Sequence, residues 1–198
     1  DGVRRGSITF DVSVLPEAGD LQIVATAQHD NTGVYGVGVG LVNFSRKLNW
    51  IFPILEGTEQ DFSESEPDTR TSGACWPYPM FAGLVIAESP RGAVSMWMTD
   101  RELMPRYMHW RNNAGRLDLV FESLNHAPYN DNKTVRSRTI RVNVYQGNWV
   151  TAARPFRDHW EKTFGVKPLN ERQPEWLENI RGVMSGYGTP PREHIDKI

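Results

Sequence analysis

The chain has 198 residues, enough for one large domain or for one domain and part of a second, burying roughly 70% of the unfolded surface. Its 22 Lys and Arg nearly balance 24 Asp and Glu, for a formal charge of -2, so no basic stripe is available to neutralise phosphates and nucleic acid is not an expected partner. The lone Cys75 admits no intramolecular disulfide, no Cys/His set has zinc-ligand spacing, and no run approaches 18 apolar residues, so neither a cofactor nor a membrane span is expected.

Strand patterns fill the first three quarters. In "SITFDVSV", Ile8, Phe10, Val12 and Val14 alternate with Ser7, Thr9, Asp11 and Ser13, the period of a sheet with one face buried and one wet. A turn at "PEAGD" leads to "LQIVATAQ", and after "HDNTG" comes "VYGVGVGLVNF", the pattern of a meander. Further strands are expected at "NWIFPIL" (49–55), "MFAGLVIAE" (80–88), "AVSMWMTD" (93–100), "RYMHWR" (106–111), "RLDLVFES" (116–123) and "TIRVNVYQ" (139–146). Turn residues punctuate nearly all of them, which predicts a mainly β fold, an antiparallel β-sandwich over 1–147.

The period changes near residue 150. Val150, Ala153, Phe156, Trp160 and Phe164 recur at three- and four-residue spacing, which predicts an amphipathic helix with its Phe156/Trp160 face packed inward. Thr151 is the expected N-cap, Pro155 would then fall in the first turn, and Gly165 suits the stop. "VKPLNERQPEW" (166–176) reads as a connector, so that 148–176 form a linker helix and its extension.

Motifs that tempt a functional reading are mostly explained by structure. "GVGVG" (36–40) lacks the Gly-x-Gly-x-x-Gly order of a dinucleotide fold, and its alternating glycines instead predict a strand face open to close packing. The acidic run 56–69 has no calcium-loop spacing and reads as a solvated loop. "ACWPYPMF" places Trp76 and Tyr78 beside two prolines, where aromatic faces either stack on pyranose rings or fill a core. The five histidines, 29, 109, 126, 159 and 194, sit in no nucleophile elbow or metal pair. Asp100, closing the "VSMWMTD" strand, is the acidic residue to watch, and no catalytic partner follows from spacing.

The order "YPMFAGLVIAESPRGAVSMWMTDRE" followed by "AARPFRDHWEKTFGVKPLNERQPEWLENIRGVM" resembles a group of bacterial glycoside-hydrolase-like proteins. In these a galactose-mutarotase-like β-supersandwich precedes a (β/α)₈ barrel. The resemblance covers roughly residues 76–187, through Tyr78-Pro79, the strand ending in Asp100, the helix with Arg154, Phe156, Arg157 and Trp160, and Trp176. It implies that 177–198 are the start of a truncated barrel, with "NIRGVMSGY" its first strand and Tyr187 at that strand's C-terminal end, bordering a sugar site. The chain, which begins with Asp rather than Met, is then expected to be a piece of a longer polypeptide, its compartment open.

Two functions follow from the resemblance. The favoured one is a non-catalytic, carbohydrate-binding sandwich of a glycosidase, with Trp76, Tyr78 and Tyr187 as substrate-binding residues, no catalytic residue or metal in this chain, and the carboxylates in the missing barrel. The alternative is a stand-alone mutarotase-like enzyme, needing a His base and a Glu acid on one sheet face. Glu88 and Glu122 lie on expected strands, but spacing pairs neither with His109 or His126. A structural sandwich that binds no sugar is the third possibility.

Overall fold

The computed structural model describes residues 5–52, 54, 58–60, 62, 71–76, 82–102, 106–113, 116–125, 128–167 and 171. Among them are twelve strands, all antiparallel in their pairings, and one α-helix: β1 (Gly6–Leu15), β2 (Asp20–His29), β3 (Gly36–Ser45), β4 (Asn49–Phe52), β5 (Thr58–Gln60), β6 (Thr71–Trp76), β7 (Leu84–Ser89), β8 (Gly92–Thr99), β9 (Arg106–Asn113), β10 (Arg116–Leu124), β11 (Thr134–Arg136), β12 (Thr139–Tyr145) and α1 (Trp149–Phe164). The mainly β, sandwich character expected from the alternation is what the chain adopts.

Two sheets divide these strands. The larger has eight, in the order β1-β2-β12-β8-β7-β4-β5 with β11 beside β2, and the smaller has four, β3-β10-β9-β6. Alternate residues of each sheet face the other and build the core: Ala25, Trp50, Phe52, Val85, Met96, Met98, Ile140 and Val142 from the large sheet, and Val37, Val39, Met108, Leu117, Leu119 and Phe121 from the small one. Phe52 bridges the layers, its ring centroid 5.2 Å from that of Trp110.

Strand β1 departs from expectation. Its alternation is intact, but Ile8, Phe10, Val12 and Val14 are 54–61% exposed. The cause is the mismatch in sheet width: β1 sits at the end of the eight-stranded sheet, while the small sheet, through β3, meets β2 and β11 further in. Periodicity reports a face, and only the opposite layer decides whether that face is covered.

The helix covers the other side of the large sheet, against β7, β8 and β12. Trp97, fully buried, meets Phe156 edge-on at 5.8 Å and His159 at 5.5 Å, with the Arg141 guanidinium 4.6 Å from the centre of its ring. Trp160 lies between Phe156 and Phe164 and is half-buried. The start is a turn earlier than the sequence suggests: the Asn148 side chain accepts from the Val150 amide at 3.2 Å and its carbonyl from the Thr151 amide at 2.9 Å, so Asn148 is the cap rather than Thr151. Pro155 therefore lies inside the helix, not in its first turn. Gly165 ends it with a φ of 63°, the left-handed stop its glycine allows.

By contacts the chain divides into two compact units, Asp1–Phe164 and Gly165–Ile198. The expected barrel start, 177–198, lies outside the described residues.

Candidate functional site

The outer face of the small sheet carries the most distinctive grouping. On β9 the two-residue period sends Met108 and Trp110 toward the core, so Tyr107, His109 and Arg111 share the opposite face. On the neighbouring β10 the same logic buries Leu117, Leu119 and Phe121 and turns Asp118, Val120 and Glu122 outward.

The hairpin register sets Tyr107 opposite Glu122 and His109 opposite Val120. Glu122 reaches diagonally along this face to His109, with 2.9 Å between His109 Nε2 and Glu122 Oε2. Both side chains are partly exposed, 34% for the histidine and 26% for the glutamate. Tyr107 flanks the imidazole, the rings 5.7 Å apart and inclined by 23°.

The third strand shapes the floor. A Cβ on Gly38 or Gly40 would come within 2.8 or 2.7 Å of a Val120 methyl, and one on Gly36 within 3.0 Å of Glu122 Oε1. The glycines expected to permit close packing do so, and what packs is β10's own Val120 and Glu122, leaning across β3. Beyond them β3 bulges: between Leu117 and Leu119 the pairing shifts, Asn43 takes a φ of 68°, and its amide donates to Asp118 Oδ1 at 2.8 Å.

The carboxylate of Glu122 accepts, so the proton of this contact sits on His109 Nε2. Such a face can accept and donate hydrogen bonds to hydroxyl groups beside an aromatic ring. Mutarotation requires an acid and a base acting on two different oxygens of one anomeric carbon; a His and a Glu bonded to each other present a single polarised imidazole instead.

Asp100 has a different role. It is buried, 2.8 Å from Arg106 Nη1 and 3.6 Å from Arg138 Nε, and it accepts from the Glu102 amide at 2.9 Å. Burial pulls the Arg106 guanidinium below its usual range, and the Asp100 charge works against that fall. The group is a charge-compensated tie between β8 and β9, shut away from ligands.

Glu88 sits on β7 of the large sheet, its carboxyl pushed up by burial, with Tyr145 opposing and Glu59 reinforcing the rise. Of the four pairings spacing left open, the structure makes one, His109 with Glu122; His126 lies outside the described residues. Trp76 ends β6, with Arg106 as its backbone partner on β9. Tyr78 and Tyr187 lie outside the described residues. Sequence reasoning missed Tyr107 and did not pair Glu122, although "RYMHWR" shows two polar-capable aromatic positions on one strand face.

Among the described residues no three His, Cys, Asp or Glu side chains are grouped to hold a metal ion, and no helix is long and apolar enough to cross a membrane. No protein-family model matches the chain and no curated protein matches it.

Proposed function

We propose that the sandwich is a non-catalytic, carbohydrate-binding portion of a glycoside hydrolase, of the galactose-mutarotase-like type, whose catalytic carboxylates belong to a following barrel. The observation that carries the reading is the outer face of the small sheet, where Tyr107, His109 and Glu122 gather beside the glycines of β3. Aromatic rings offer C–H contacts to a pyranose, and the imidazole and carboxylate offer hydrogen bonds to its hydroxyls.

Calorimetric titration of the chain with a panel of mono- and oligosaccharides tests it. At least one saccharide binds, and Tyr107→Ala or Glu122→Gln weakens it about tenfold, the loss of a contact worth a little over 1 kcal/mol. Absence of binding across the panel, or binding indifferent to both variants, favours a purely structural sandwich. The chain alone is expected to release no aryl group from chromogenic glycosides.

The second reading, a mutarotase-like enzyme, has its His and Glu on one sheet face, but bonded to each other rather than set apart for two oxygens. Polarimetry of freshly dissolved galactose separates the two. Acceleration above buffer that disappears in both His109→Ala and Glu122→Gln would establish the enzyme and displace the binding module.

A further inference from the structure

Away from the sheet face, four cationic side chains line two adjoining clefts, of about 490 and 450 Å³, between α1 and the large sheet. The first is walled by Thr99, Arg101 and Glu102 after β8, by Arg136 to Thr139 where β11 passes into β12, and by His159 of α1. The second shares Arg101 and His159 and adds Lys162 and Thr163.

The chain's own bonding fixes this wall. Ser137 interrupts the chain between β11 and β12 beside β2, its amide donating to the Ala25 carbonyl at 2.7 Å and its hydroxyl accepting from the Ala25 amide at 2.8 Å. That locks the arginines on either side, Arg136 and Arg138, at the cleft rim. Arg138 is further held by Glu102 at 2.8 Å. Arg101, Arg136 and Lys162 are exposed, and among the described residues none of them forms an ion pair.

Among the described residues, four cations against one lining carboxylate, itself engaged by Arg138, make a local excess of positive charge in a chain whose formal charge is -2. Like charges gather at a concave surface against their mutual repulsion, and an anion seated among them relieves it. Guanidinium groups match the oxygens of a carboxylate or phosphate in pairs, and the volume falls in the range of about 300–1,000 Å³ that small-ligand sites occupy.

We propose that this cleft binds the oxyanion of a small ligand, a sugar carboxylate or a phosphate group, through Arg101, Arg136 and Lys162. The site is separate from the His109 face and stands whether or not that face binds sugar.

The test is calorimetry of the full chain at low salt with sodium glucuronate, inorganic phosphate and neutral methyl glucoside, repeated on Arg101→Gln, Arg136→Gln and Lys162→Gln, whose exposed positions leave the fold intact. One or both anions bind, affinity falls as salt rises, and each variant weakens binding about tenfold, as removal of a charge-assisted contact does. Glucuronate alone identifies an acidic sugar, phosphate alone a phosphate-bearing ligand, and both together a site that reads charge. Binding by neither anion, or binding unchanged in all three variants, overturns the proposal. Neutral glucoside binding that survives these substitutions belongs to the sheet face, and where neither anion binds only that reading stands.

Discussion

A carboxylate sealed from water needs its counter-charge within the protein, and for Asp100 that is Arg106, both side chains only 2% exposed. Removing one partner leaves the other buried and charged, so Asp100→Ala is expected to cost about 3–5 kcal/mol in urea unfolding, whereas an exposed pair such as Arg157 with Asp158 should hardly register. His159 makes a second prediction. Burial lowers its pKa from the ordinary 6.5; the backbone of Asp100 opposes that, and Arg141 and Arg101 reinforce it. As pH falls through 6.5 the unfolded chain takes up the proton first, so the stability that neutral His159 contributes is present above that value and lost below it. Urea midpoints at pH 7.5 and 5.5 should therefore differ more for the native chain than for His159→Gln. Neither residue's role was legible beforehand. Asp100 could be marked as unusual from its place at a strand end, but Arg106 belongs to the other sheet, and His159 owes its setting to Trp97, sixty-two positions upstream.

At the scale of elements the glycine strand offers the sharpest test. Gly38→Ala is expected to destabilise by about 1–3 kcal/mol because its Cβ would sit 2.8 Å from Val120 Cγ1, and Val120→Ala in the same chain should recover most of that loss, since the next contact is the Phe121 carbonyl at 3.7 Å. Gly40→Ala should not be recovered in the same way. The Leu119 carbonyl, 2.9 Å away, is backbone and stays where it is. Asn148→Ala should cost about 1 kcal/mol by removing the cap of α1. The long strands and the helix were legible because each repeats its period over several turns, as β8, β10, β12 and α1 do. The three-residue strands β5 and β11 were not, being too short to show a period, and β6 hid inside "TSGACW", whose small residues carry little alternation. The His109–Glu122 pair was half legible. Each residue stood on an expected strand, but a diagonal contact thirteen positions apart depends on hairpin register, which the turn sets and residue spacing does not.

For the molecule as a whole the unequal widths of the two sheets matter most. The centre of the large sheet is covered twice, by the small sheet on one side and by α1 on the other, and four consecutive residues of β8, Ser95 to Met98, are buried. Its far strand, β1, is covered on neither face and has no buried residue, though it pairs with β2 along ten positions. Hydrogen bonds on that strand are made in the presence of water and supported by little packing. Opening β1 should therefore require far less free energy than opening β8. Deuterium exchange followed by mass spectrometry is expected to label peptides of β1 long before those of β8 and β12; equal protection would mean that another surface covers Ile8, Phe10, Val12 and Val14 in solution. A chain built this way does not loosen evenly. It frays from one margin inward, so a protease or a passing unfolded strand meets β1 first, while the sheet that holds Trp97 and the helix stays closed.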